Sequence, residues 1–93
     1  MFVLKTKLFE RSFDRLKKSG IKLTVLEKLD FIIDLISQGN YLPESYRDHA
    51  LKGEYSGYRE CHIKGDILLI YKIEDNNLIL LLVDIGSHSE LFK

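Results

Sequence analysis

An α+β domain is what this sequence predicts, and three observations carry the prediction. Apolar residues recur with a helical period through the first forty positions, the period switches to strand-like runs after Pro43, and those runs are joined by connections of only a few Gly, Asp or Asn residues. Helices followed by a meander of strands, with no alternation between the two, describe helices packed on one antiparallel sheet.

Each element has its own signal. Phe2 to Thr6 alternates over a short span and supplies a first strand. From Leu8 to Lys18, Phe9, Phe13 and Leu16 recur at i, i+4 and i+7 on one helical face, and Ser19-Gly20 ends that helix because glycine takes the left-handed C-cap conformation readily. Thr24 precedes VLEKLDFIIDLISQG, where Val25, Leu29, Ile32 and Ile36 form a stripe widened by Leu26 and Ile33. Glu27, three residues after Thr24, suggests a capping box, and Gly39-Asn40 stops the second helix. The two form a helical hairpin whose stripes face the core.

Beyond Pro43, Glu44 to Gly57 is polar and broken by Gly53 and Gly57, which reads as a loop with a short strand at Ala50 to Lys52. Tyr58 to Lys64, Ile67 to Ile73 and Leu78 to Ile85 read as three strands separated by Lys64-Gly65-Asp66 and Asp75-Asn76-Asn77. No crossover helix fits connections this short, so the strands pair antiparallel, giving a mainly antiparallel sheet of four to five strands. The last strand, LILLLVDI, is apolar on both faces. One face packs on the helices; the other is covered by the chain terminus or offered to a partner.

Length and composition set limits. Ninety-three residues predict a single domain, 1–93, with one core. The longest apolar runs, Ile67 to Ile70 and Leu78 to Val83, fall far short of the roughly 20 residues that span a bilayer, and MFVLKTKLFERSF lacks a signal-peptide apolar segment. The expectation is a cytoplasmic protein with no membrane association. The lone Cys61 has no disulfide or CxxC partner, as suits a reducing compartment. Net charge is zero, yet residues 1–30 hold eight Lys/Arg against four Asp/Glu while residues 31–93 hold six against ten. The N-terminal excess suits phosphate or an acidic protein tail, and equally a solvated helix face.

Chemistry concentrates in the second half. The only histidines, His49, His62 and His88, stand with Asp66 and Arg59 as a polar set within an apolar strand region. Imidazole, with an ordinary pKa of about 6.5, takes and gives protons near neutral pH, so converging histidines suit acid/base chemistry without a metal or other cofactor. Three imidazoles and a carboxylate are also zinc ligands, but intervals of 13 and 26 residues match no compact ligand motif. Alternation puts Tyr58, Glu60 and His62 on one sheet face and Arg59, Cys61 and Ile63 on the other. Arg59 accordingly suits a structural salt bridge as well as a phosphate contact.

Three motifs, in order and at compatible spacing, extend this reading: YRDHALKG, GYRECHIKGDILLIYK and the final GSHSELF. The segment from Leu42 to Phe92, about half of the chain, closely resembles the YafQ branch of the RelE/ParE toxin superfamily. That resemblance implies a RelE-like fold with a short C-terminal helical turn. It also implies a bacterial type II toxin that cleaves messenger RNA on the ribosome and is neutralised by a cognate antitoxin protein. Carried onto matching positions, the family's catalytic set falls on His49, His62, Asp66 and His88, with Phe92 beside it to stack on a base. His49 would be the base and His88 the acid, an order that can be exchanged, while His62 and Asp66 position the phosphate or orient an imidazole. Two positions depart from the pattern. Asp84 stands where family members commonly have an arginine, and Ile67 where a tryptophan often stands. On the nuclease reading, Arg59, Lys64 or Lys72 supplies the missing cation at the substrate. On the alternative reading, the chain is a catalytically attenuated toxin-fold module that mainly binds an antitoxin and tunes its operon.

Overall fold

The computed structural model describes residues 1–92. In chain order it runs β1 (Phe2–Lys5), α1 (Lys7–Lys18), α2 (Leu23–Ser37), a 3-10 turn (Glu44–Tyr46), β2 (His49–Ala50), a second 3-10 turn (Gly53–Tyr55), β3 (Arg59–Lys64), β4 (Ile67–Glu74), β5 (Ile79–Ser87) and α3 (His88–Leu91). The sheet has five strands in the order β1-β5-β4-β3-β2. All neighbours are antiparallel except β1 and β5, which pair in parallel from Phe2 with Ile79 to Lys5 with Leu82. The mainly antiparallel α+β architecture is as the sequence predicts.

Thr6 shows how the parallel edge is locked. Its side chain caps α1 by accepting from the Phe9 amide at 2.9 Å, and the same hydroxyl donates to the Val83 carbonyl at 2.7 Å. One residue therefore starts the helix and ties it to the strand on which it packs. The stripes behave as their period dictates: Phe9 from α1 and Val25, Leu29, Ile32 and Ile36 from α2 are buried against Cys61, Ile63, Leu69, Tyr71, Leu80, Leu82 and Ile85 on one sheet face.

Two local expectations are corrected. The second helix begins at Leu23 with Lys22 at its N-cap and no side-chain cap, so Thr24 lies inside the first turn and forms no capping box. Its hydroxyl instead accepts from Lys64 Nζ at 3.3 Å. The short strand falls at His49–Ala50 and not at Ala50 to Lys52, because the chain pairs there with Glu60 and Arg59 and then turns away at Gly53, whose φ is +69°.

Two bulges decide which side chains share a sheet face. Ile70 pairs with Asp84 while Tyr71 pairs with Leu82, leaving Val83 as the extra residue; a second irregularity falls between His62 and Lys64. The first keeps Leu82 and Ile85 under the helices and sends Asp84 to the opposite face.

Candidate active site

The face away from the helices carries His49, Glu60 and His62. Register places His49, Glu60, Ile70 and Asp84 in one row across β2, β3, β4 and β5, with His62, Leu68 and Gly86 in a second row beside it. Antiparallel partners share a face, so side chains of one row are neighbours. Leu68 and Ile70, 1% and 3% exposed, form its apolar floor.

Glu60 is the centre of this face. It is 5% exposed, and its Oε1 lies 3.6 Å from His49 Nε2 and 3.8 Å from His62 Nε2. A carboxylate is rarely buried without partners of opposite charge or hydrogen-bonding capacity, and here the two imidazoles fill that role. The other ring nitrogen of His49, Nδ1, is 2.7 Å from the Arg47 carbonyl. A carbonyl only accepts, so Nδ1 carries the hydrogen and Nε2 is left to exchange a proton. Arg47 itself sits in the left-handed region at φ 50°, which aims that carbonyl at the ring.

His88 opens α3 at the end of β5. Ser87 caps this turn reciprocally: its hydroxyl accepts from the Glu90 amide at 3.3 Å, and Glu90 Oε1 accepts from the Ser87 amide at 2.9 Å. Gly86 leaves room beneath it, since a Cβ there would lie 3.2 Å from Glu90 Oε1 and press on the capping side chain. The His88 ring is 5.0 Å from that of Phe92, which meets Tyr55 edge-on at 5.3 Å. His88, Phe92 and Tyr55 thus form an aromatic group where α3 meets the 3-10 turn.

The remaining sequence-predicted residues lie apart from Glu60. Lys72 is on the same face, with Nζ 5.2 Å over the Tyr58 ring. Lys64 is exposed and donates to Thr24. Asp66 is exposed in the Gly65-Asp66 turn and makes no ion pair or side-chain hydrogen bond among the described residues. Arg59 is on the helix side: Nη2 donates to Asp48 Oδ2 at 2.9 Å, and the Tyr71 hydroxyl donates to Asp48 Oδ1. The bond to Asp48 raises the Arg59 pKa further, so its charge is permanent. Burial, then the Asp48 bond, raises that of Tyr71. Burial also pushes the Cys61 thiol up to about 12, which marks it as a packing residue and no nucleophile. Glu60, Asp48 and Tyr55 were not singled out from the sequence; alternation did place Glu60 with His62, but nothing local announced its burial.

Asp84 is half-buried and accepts from the Ile85 amide at 2.8 Å. It lines a cleft of about 240 Å³ with Ser12, Arg15 and Leu91, between α1 and α3. Among the described residues no three of His, Cys, Asp and Glu are grouped to hold a metal ion, and no helix is long and apolar enough to cross a membrane.

Two imidazoles beside a buried carboxylate on the sheet, and a third histidine with an aromatic pair on the C-terminal turn, are thus set on a small α+β fold of the toxin class. A family model described as "Bacterial toxin of type II toxin-antitoxin system, YafQ" matches residues 2–93, and the chain belongs to that family. A putative toxin YafQ of Haemophilus influenzae is 42% identical over 67 residues, 72% of this chain and 66% of that protein, so the match spans just under two thirds of the relative's length. An mRNA interferase toxin YafQ of Escherichia coli K12 is 37% identical over 68 residues, 72% of each chain. Among solved structures, a metal-bound toxin from Helicobacter pylori superposes with a TM-score of 0.84 at 38% identity, covering 99% of both chains. The toxin of the E. coli DinJ-YafQ complex does so with 0.82 at 29%, covering 98% of this chain and 97% of that one.

Proposed function

We propose that this toxin is an endoribonuclease that cleaves messenger RNA on the ribosome by histidine acid/base chemistry, and that it acts in the cytoplasm, where an antitoxin protein neutralises it. The observation that carries the reading is the pair of imidazoles 3.6 and 3.8 Å from buried Glu60, with His88 and Phe92 at the turn that ends β5. The name mRNA interferase toxin borne by the E. coli relative supports the substrate class, and the DinJ-YafQ complex supports an antitoxin partner.

In the reaction, the RNA 2′-hydroxyl loses a proton and its oxygen attacks the adjacent phosphorus. The bond from phosphorus to the 5′-oxygen breaks, and that oxygen takes up a proton as it leaves. His49 Nε2 serves as base and His88 as acid. When His49 holds the transferred proton, the Glu60 carboxylate, 3.6 Å from that same Nε2, stabilises the imidazolium by charge attraction. His62 and Lys72 present positive or donor groups to the phosphorane charge, Lys64, tied to Thr24, stands further along the strand's path, Asp66 at the hairpin turn positions the RNA, Phe92 stacks on a base, and Arg59 acts through Asp48 to fix the segment bearing His49.

Asp84 favours a second reading, an attenuated toxin whose main function is antitoxin binding, because a carboxylate in the His49–Glu60 row repels phosphate. Induced expression in a bacterial host, with primer extension on a translated reporter and on one lacking an initiation site, tests both. The nuclease reading expects cleavage of the translated message by wild type and none by His88→Ala. Cleavage by Asp84→Arg alone would establish the attenuated reading, and no cleavage by any folded variant would refute the enzyme.

A further inference from the structure

Next to the candidate active site, on the other side of His62, lies a cleft of about 350 Å³ with cationic walls. Three separate elements build it: Lys28 comes from α2, Ser45, Tyr46 and Arg47 from the first 3-10 turn, and His62 and Lys64 from β3. No carboxylate lines it; Glu44 and Asp66, though near in sequence, do not. Lys28, Arg47 and Lys64 make no ion pair among the described residues. No carboxylate of the cleft wall cancels their field, and a concave wall of low dielectric concentrates it.

The cations are also held in place. Lys28 Nζ lies 5.9 Å from the centre of the Tyr46 ring, and Lys64 Nζ rests on Thr24 Oγ1. Arg47 occupies the left-handed region, uncommon for a residue with a side chain, and the same residue holds His49 through its carbonyl. The cleft thus shares Arg47 with the support of one catalytic histidine and His62 with the face itself. A group bound there would adjoin His62.

We infer that this cleft is a second phosphate site, which binds a backbone phosphate of RNA other than the one being cleaved. The inference rests on the ribonuclease reading for its substrate and adds to it a place where the strand is gripped. Message and ribosomal RNA offer the same phosphodiester, so the chemistry is common to both and experiment separates them.

The test compares wild type, Lys28→Gln and Lys28→Arg as full-length chains. Each is titrated, over a range of salt, against an RNA oligonucleotide with a 2′-deoxy group at the cleavage position and against 70S ribosomes. Loss of one phosphate contact lowers the slope of log affinity against log salt by about 0.7 for single-stranded RNA. The expected result is that loss in Lys28→Gln, with restoration in Lys28→Arg. A methylphosphonate scan of the oligonucleotide should find one linkage, away from the cleaved one, whose neutralisation weakens wild type but not Lys28→Gln. A reduced slope on both probes assigns the site to message; a reduced slope on ribosomes alone assigns it to ribosomal RNA. Equal slopes for wild type and Lys28→Gln on both probes overturn the inference, and cleavage by that same wild-type preparation would leave the ribonuclease reading standing. Failure of wild type to bind either probe would remove both.

Discussion

Replacing Asp48 by alanine removes the acceptor for two side-chain hydrogen bonds at once. Tyr71 is only 2% exposed, so its hydroxyl proton would be left buried without an acceptor, beside Arg59 which can only donate to it, at a cost of about 1–3 kcal/mol. The Arg59 side chain is 39% exposed, so water compensates most of its lost bond and leaves about 1 kcal/mol. Together the change should cost about 3 kcal/mol, which for a domain of this size lowers Tm by roughly 12–24 °C. Urea denaturation of wild type, Asp48→Ala, Tyr71→Phe and the double variant measures it. Tyr71→Phe alone should cost about 1 kcal/mol. The double variant should be less destabilised than the sum by at least about 1 kcal/mol, since both changes break one bond. Asp48→Ala within about 0.5 kcal/mol of wild type, or strict additivity, would refute the argument that this cluster anchors the segment carrying His49.

Glu60→Gln keeps the shape at the centre of the face but removes the charge between His49 and His62. Its single-turnover cleavage should fall on the order of 10²-fold with message affinity little changed, and an unaltered rate would exclude the positioning role. The alkaline limb of stability follows from Cys61 and Tyr71, both raised by burial from ordinary values of 9.0 and 10.0. Each holds its proton more tightly folded than unfolded, so its contribution is complete below its ordinary value and is lost as pH rises through the folded one. The urea midpoint should therefore decline from about pH 9 towards pH 12, partly flattened in Tyr71→Phe; a pH-independent midpoint over that range contradicts this. Ile32, 0% exposed beneath the sheet, should cost about 3–4 kcal/mol on truncation to alanine, and a loss below about 1 kcal/mol would show that the stripe is not the core.

Period and turn chemistry made most of the fold legible. Val25, Leu29, Ile32 and Ile36 are all buried because a stripe repeating every three or four residues can face only one way on a helix. The three long strands lie within two residues of their expected ends, since short polar turns bound them on both sides. What escaped depends on partners distant in the chain. β1 has all four residues exposed, so no inward face betrays its parallel pairing with β5. The Thr24 signal misled because Leu23 is already helical, and a local motif cannot report where its helix begins.

The site divides in the same way. Alternation along β3 predicts Glu60 and His62 on one face, and the structure adds that the helices cover the other. That His49 joins them follows only from its pairing with Glu60 across β2 and β3, which no local pattern encodes. Asp84 shows the point most clearly. Strict alternation from buried Leu82 would point Val83 outward and Asp84 into the core; the bulge at Val83 reverses this, leaving Ile85 2% exposed under the helices and Asp84 in the row with Glu60. The bulge thus spares the core an uncompensated charge and moves that charge to the face where RNA would bind. With carboxylates at both 60 and 84 on that face, the proposed nuclease would draw positive charge for phosphate from Lys72, from the cationic cleft beyond His62 and from Arg15 beside Asp84. On that account the strand is held mainly by groups flanking the reacting phosphate, whereas an arginine at position 84 would hold it at the centre.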